Sequence, residues 1–461
     1  MNASRELEDR LRAIVGAEHV LVDPDVVASY CTDWTGRFVG SSSTVVRPAS
    51  TAQVADIVSL CRREAVTLTL QGGNTGLSGG AVPPPGALVC SLRRLRSISE
   101  VDRQSGQLTA GAGVTIADVQ ARAESAGWAY GVDFSSRDSA TVGGSVATNA
   151  GGLRVLRYGD TRAQLVGIEA VLGTGAVVSH LGGLTKDNTG YHLPSLLCGS
   201  EGTLGVVTAA RLRLVPRETE RVVALLAFDD VAAAVAAVGR CRSALASLSA
   251  AELFFAEGVA LVCRSFGLRP PFAAPHPAFL LVEASGTTDP LAGLSAVVDS
   301  LVGVADAAVA SDESRRAELW RYREAHTEAI ATVGTAHKLD ITVPAGAMAD
   351  FVAAVPGVVD ASCPGAQTWL FGHAGDGNVH VNVTGAPPGE ERVDEAVLRL
   401  ATGLGGSISA EHGIGLAKVQ WLALSRSPAE IAAFRAIKRA LDPDGILNPG
   451  VLLPTDPEAL S

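Results

Sequence analysis

The sequence predicts an α+β protein built from two main parts and a helical tail. Three observations carry this. The chain opens strand–helix–strand and runs directly into the Gly-rich loop QGGNTGLSGG (71–80). After Pro216 the texture changes to two successive strand–helix–strand units, which predict a ferredoxin-like α+β sheet with helices on one face. From about residue 421 the pattern is helical as far as LDPDGILNPG. A chain of 461 residues is too long for one core. We divide it into 1–217, 218–420 and 421–461, the last segment returning to the first part.

The elements follow in order. Residues 1–40 read as a helical lead-in, and TVVRP (44–48) as a strand. Ser50 or Thr51 caps a helix whose apolar positions Val54, Ile57, Val58 and Cys61 follow i, i+3, i+4, i+7. VTLTL (66–70) alternates as a strand does. Residues 87–215 are short β-branched runs between glycines, with further Gly-rich loops at VGGSVATNAGG (142–152) and GSEGTLG (199–205). In the second part RVVALLAF (221–228), LSAAELFF, AFLLVEASG (278–286) and ADAAVAS read as strands, with helices after Asp229 or Asp230 and in DPLAGLSAVVDSLV. A charged helix (312–333), the strand HKLDITVP and the hairpin TWLFGHAGDGNVHVNV complete it.

Composition removes some function classes. The net charge of −11 argues against a nucleic-acid partner, because phosphate neutralisation needs a basic surface. Seven scattered cysteines without a CxxC pair read as reduced thiols. The opening MNASRELEDRLRAIVG carries both signs of charge and no apolar core, so no signal peptide is expected. The Ala/Val-rich run from Val231 to Leu248 contains Arg240 and Arg242, so no transmembrane segment is expected, and with the reduced thiols the expected location is cytoplasmic.

The loop 71–80 follows a strand, and its small residues expose successive N–H groups suited to phosphate oxygens. Its spacing matches neither GxGxxG nor GxxxxGK[ST]. Alone it is as readily an ordinary turn. Three such loops in one half of the chain together suit a long dinucleotide.

FGHAGDGNVHVNV (371–383) reads as strand, tight turn, strand. His373 ends the first strand, and His380 and Asn382 share a face of the second. ISAEHGIG (408–415) adds Glu411 and His412. Two histidines and a carboxylate form a three-ligand site with open positions, suited to zinc or a similar divalent ion. A hydrogen-bonded histidine pair is the structural alternative. Of only four lysines, Lys338 lies in a β-branched run, either lining a site or facing solvent. Arg323 and Thr327 stand i, i+4 on WRYREAHTEA. An Arg fork there suits a carboxylate, and an ion pair with Glu324 or Glu328 is the alternative.

QGGNTGLSGG, GGSVATNAGGLRVLRYGD, KDNTGYHL, GSEGTLGVVT, GHAGDGNVHVNV, SAEHGIG and DPDGILNPG occur in this order from about 44 to 454. With them the sequence resembles the FAD-linked oxidases of the vanillyl-alcohol oxidase type, in the branch that holds D-2-hydroxyglutarate dehydrogenase, D-lactate dehydrogenase and the glycolate oxidase flavin subunit. The resemblance implies a two-part FAD-binding domain, a substrate- and metal-binding α+β domain, and a helical C-terminal segment.

It also implies roles. FAD would lie along Gly72, Gly73, Asn74, Thr75, Gly76, Ser78 and Gly79, with contacts from Ser139, Thr141, Gly144, Thr148, Glu201, Val206 and Asn448. His373, His380 and Glu411 would hold a divalent metal, zinc being the expected ion. Arg323, Thr327, Lys338 and Asn382 would hold a small anionic 2-hydroxy acid, and His412 would be the general base. LRVLRYGD and KDNTGY lean toward D-2-hydroxyglutarate as substrate. The alternatives are a D-lactate or glycolate dehydrogenase or oxidase of the same fold, and a non-catalytic flavin-binding subunit. The expected electron acceptor is an electron-transfer flavoprotein or a quinone, and a homodimer is compatible with the resemblance. Three positions depart from the family pattern: His192 where Asp is usual, Ala374 where a bulkier residue is usual, and Val451 where Lys is common. The first Gly-rich loop has no His, so non-covalent FAD is expected.

Overall fold

The computed structural model describes residues 2–387 and 389–455. It divides into two compact units. Unit 1 comprises Met1–Gly152, Tyr158–Pro216 and Glu411–Ser461, and unit 2 comprises Leu153–Arg157 and Arg217–Ala410. The residues 411–420, grouped above with the second part, fall in unit 1, and 153–157 fall in unit 2.

Unit 1 holds two four-stranded sheets. In the first, Val45–Val46, Leu88–Ser91 and Leu68–Gln71 run parallel, with Val20–Leu21 antiparallel at the edge. The lead-in is therefore not wholly helical. The helix Thr51–Glu64 buries Val54, Ile57, Val58, Leu60 and Cys61. The Ser50 hydroxyl accepts the Gln53 N–H, a cap worth about 1 kcal/mol. The second sheet is antiparallel, in the order Gln107–Gly111, Gly205–Arg213, Leu165–Leu172, Val177–His180. In the tail, Pro428–Leu441 starts with a capping box between Ser427 and Glu430. Leu447 then bridges Leu68 in the first sheet.

Unit 2 is built on one antiparallel sheet of seven strands. Their order is Val304–Ala310, Glu220–Phe228, Ala278–Gly286, Leu248–Phe255, Gln367–His373, Asn378–Thr384, His337–Thr342. The first four have the order 4-1-3-2 of a split βαβ unit. The helices Val231–Ala244 and Leu291–Asp299 touch each other and these strands. The opposite face is not bare, contrary to expectation. Val223, Leu225, Phe254, Phe279 and Phe371 pack there against Val262, Trp320, Tyr322 and Ile330 of other helices. This is why the strands are apolar at successive positions rather than alternating: both faces are covered.

The charged helix expected over 312–333 is two helices, Glu313–Glu324 and His326–Ala331, broken at Ala325. One stretch, Ala345–Ser362, is long and apolar enough to cross a membrane by length and composition alone. It contains Pro356, and its residues Phe351, Val352, Val355 and Val359 are buried within unit 2.

Candidate active site

The chemistry-bearing side chains of unit 2 gather on the face of the sheet that carries Phe254 and Phe371. Residues directly opposite across a ladder share a face. The pairs Glu252–His373, Phe371–His380, Asp340–His380 and Lys338–Asn382 therefore line up on one side. The turn between the two histidine strands is tight. A Cβ on Gly372 would stand 2.2 Å from the Asn378 carbonyl oxygen, and Gly377 has φ +88°.

At this place the two imidazoles face each other, His373 Nε2 lying 3.4 Å from His380 Nε2. Each ring's other nitrogen meets a buried carboxylate. His373 Nδ1 is 2.7 Å from Glu252 Oε1, and His380 Nδ1 is 3.3 Å from Asp340 Oδ1. A carboxylate at Nδ1 favours the proton there and leaves Nε2 as a lone pair. Two lone pairs aimed at each other repel unless a cation or a shared proton lies between them. Burial lowers the His380 pKa, which also favours the neutral, metal-binding form. The donor set therefore fits a divalent cation of the borderline kind that imidazole prefers.

Beside the pair lies a buried guanidinium. Arg323 is 5% exposed, with its Cζ 4.5 Å over the Phe371 ring. Its Nε is 2.8 Å from Glu252 Oε2, a charge contact without the alignment of a hydrogen bond. Among the described residues no acceptor takes up its N–H groups. A buried charge with unmatched donors is costly, so the arrangement suits an arriving anion. Burial would raise the Glu252 carboxyl, but His373 and Arg323 outweigh it and hold the group below its ordinary value. Asn382 is buried opposite Lys338, whose pKa burial lowers.

Unit 1 holds the Gly-rich loops. A Cβ on Gly72 would lie 2.3 Å from Thr141 Oγ1, and one on Gly73 2.1 Å from the Ser139 carbonyl oxygen. The first loop thus lies directly on Ser139–Thr141, which lead into Val142–Thr148, a helix where the sequence suggested a Gly-rich loop. The backbone N–H groups of Gly72 through Leu77 find no acceptor among the described residues. Such a run of donors fits the pyrophosphate of a dinucleotide. The Ser78 hydroxyl donates to the His412 carbonyl oxygen at 3.0 Å, and Glu411 Oε1 accepts the Gly152 N–H at 2.8 Å.

The comparisons with known proteins bear on the flavin and the fold. The family model "FAD binding domain" matches residues 42–180, and "FAD linked oxidases, C-terminal domain" matches 217–452. The chain belongs to the FAD-linked oxidase family. A D-2-hydroxyglutarate dehydrogenase of Xanthomonas citri pv. viticola is 37% identical over 459 residues, covering 96% of each chain. The mitochondrial D-2-hydroxyglutarate dehydrogenase of Bos taurus is 36% identical, covering 97% of this chain and 84% of its own. Among solved structures, p-cresol methylhydroxylase with substrate bound has a TM-score of 0.80 at 18% identity, covering 98% of both chains. A 4-ethylphenol oxidase from Gulosibacter chungangensis has a TM-score of 0.75 at 18% identity, covering 100% of this chain and 98% of its own. These two share the fold.

Within this FAD-linked oxidase, some predicted residues stand differently from expectation. Val206 is fully buried in the core of unit 1, packed with Val171 and Leu68, and offers no surface to a cofactor. Both Glu201 oxygens are engaged by the Ile414 and Gly415 N–H groups, at 2.8 and 2.7 Å. Asn448 donates to the Glu201 carbonyl oxygen and accepts the Leu70 N–H. These two side chains clamp the loops. The Thr148 hydroxyl donates to the Gly144 carbonyl oxygen. Arg323 and Thr327 are not on one helix, and Thr327 is exposed whereas Arg323 is buried. His192 performs a capping task open to Asp, its Nδ1 accepting the Ser195 N–H. Glu252 and Asp340 were missed. Their trace in the sequence is a lone carboxylate inside an apolar strand, LSAAELFF and HKLDITV.

Proposed function

We propose that this chain is an FAD-dependent dehydrogenase oxidising a D-2-hydroxy acid, D-2-hydroxyglutarate foremost, to the 2-oxo acid. The observation that carries the proposal is the buried Arg323 guanidinium beside a carboxylate-backed imidazole pair: an anion site next to a cation site. The names of the similar dehydrogenases supply the substrate.

In this proposal Arg323 receives a substrate carboxylate, assisted by Lys338 and Asn382. His373 and His380 would hold a divalent cation, zinc in the first instance, which would supply Lewis-acid polarisation of the substrate hydroxyl. FAD, held along Gly72 to Gly79, would supply the two-electron acceptor, and an electron-transfer flavoprotein or quinone would be the onward partner. The roles of Glu411 as third ligand and His412 as base rest on the motif SAEHGIG. His412 would take the hydroxyl proton as general base.

Anaerobic flavin bleaching tests this. Metal-replete protein should be bleached rapidly by D-2-hydroxyglutarate and not by its L-form. His412→Ala should keep its FAD and lose the bleaching. Bleaching by D-lactate or glycolate alone would move the substrate, and no bleaching by any of these acids would remove the dehydrogenase assignment.

A further inference from the structure

The proposed site contains one carboxylate with two obligations. Glu252 is 1% exposed and lies directly across the ladder from His373. One of its oxygens meets His373 Nδ1 at 2.7 Å, and the other meets Arg323 Nε at 2.8 Å. Asp340 offers a comparison within the same sheet. It backs His380 at 3.3 Å and accepts from Asn378 Nδ2 at 2.7 Å.

We infer that Glu252 is a positioning residue that couples the cation site to the substrate-carboxylate site, a role that rests on the function proposed above. At His373 the carboxylate fixes the tautomer, so that Nε2 faces His380 as an acceptor. At Arg323 it supplies the countercharge that lets a guanidinium stay buried, and it occupies the Nε edge. The two terminal nitrogens are thereby left to a ligand, in a plane set by Phe371 below and Glu252 beside. Because one rigid, buried group makes both contacts, a change at either end is transmitted to the other. Asp340 serves the cation side, through His380.

A carboxamide separates these roles, since it offers a single acceptor and no charge. Glu252→Gln, Glu252→Asp and Asp340→Asn should be compared with wild type. Zinc affinity is read by competition with a chromogenic chelator, and KM and kcat for D-2-hydroxyglutarate are read at saturating zinc. Glu252→Gln should weaken zinc by about 10- to 100-fold, the usual range for a lost partner behind a histidine ligand. It should also raise KM by about tenfold or more, as expected when a bidentate Arg contact is disordered. Asp340→Asn should weaken zinc and leave KM within about twofold of wild type, because its task lies at His380. Glu252→Asp should recover part of both losses. A purely structural Glu252 would lower the melting temperature while leaving zinc affinity and KM of the folded fraction unchanged, which overturns the inference. It is equally overturned if Asp340→Asn raises KM as much as Glu252→Gln. Wild type that binds no zinc yet is bleached overturns the coupling and leaves the dehydrogenase assignment standing. Wild type that binds zinc with the expected Glu252 dependence but is not bleached by any hydroxy acid overturns the function instead.

Discussion

His326 shows what burial does to a titratable group beside this site. It lies against Phe254 and Phe371, its Nδ1 is 3.1 Å from the Arg323 carbonyl oxygen, and its Nε2 has no partner among the described residues. Burial, reinforced by the Arg323 charge, lowers its pKa from 6.5 to about 3. The unfolded chain therefore binds a proton between these two values that the folded chain refuses. Stability is full above about 6.5 and falls as the pH drops toward 3, by up to about 1.4 kcal/mol per pH unit for one proton. Melting temperatures measured from about pH 7.5 to about pH 4.5 should show this decline. His326→Asn keeps a donor near the Arg323 carbonyl, and should start less stable but decline less steeply. Equal slopes in the two proteins would mean that other groups set the acid sensitivity. Residues of this kind divide by how far their partners lie along the chain. His373 and His380 were legible because a short hairpin brings them together. Glu252 was not, because 121 residues separate it from His373 and only the ladder pairing of two distant strands makes them neighbours.

At the scale of elements, the loop 71–80 rests on glycines for two different reasons. Gly72 and Gly73 lie against the segment before the helix Val142–Thr148, where any side chain meets Thr141 or the Ser139 carbonyl. Gly76 is open, with nothing within 4 Å of an added methyl. Gly73→Ala should therefore strain the packing of the two segments by about 1–3 kcal/mol, lowering the melting temperature and emptying the flavin together. Gly76→Ala should leave the apoprotein melting temperature unchanged and weaken FAD severalfold, because the methyl projects into the space the cofactor needs. Fluorescence titration of FAD into both apoproteins distinguishes them. Unchanged affinity in Gly76→Ala would mean that this side of the loop does not approach the cofactor. The element pattern was readable where turns and apolar runs are local, as in the strands of unit 2 and the helix Thr51–Glu64. It failed at Ala325, where the backbone stays near helical values (φ −74°, ψ −5°) and no Gly or Pro marks the break. It also failed to show that the ferredoxin-like four strands extend to seven, since the added strands join through pairing between residues far apart in sequence.

At the scale of the whole molecule, the connection between sequence motifs and compact units is not one to one. GGSVATNAGGLRVLRYGD is continuous in the chain, yet Gly152 closes a stretch of unit 1 while Leu153–Arg157 belongs to unit 2. Two charged pairs tie those five residues to unit 2: Arg154 Nε with Glu283 Oε1 at 3.1 Å, and Arg157 with Glu218. Each unit has its own hydrophobic core, and the candidate cofactor loops lie in one while the imidazole pair lies in the other. Two of the three proposed metal ligands, His373 and His380, thus belong to a different core from the flavin loops, and only Glu411 shares theirs, so the two prosthetic sites are expected to empty separately. Dialysis against a chelator should abolish turnover of D-2-hydroxyglutarate while the flavin absorbance stays with the protein, and added zinc should restore turnover. Conversely, apoprotein stripped of FAD should retain its metal by elemental analysis. The expected ratio of flavin to protein after chelation is that of the untreated sample. Release of flavin in step with the metal would show that FAD retention depends on the cation, and that Gly72 to Gly79 and the loops beside them do not hold the cofactor unaided.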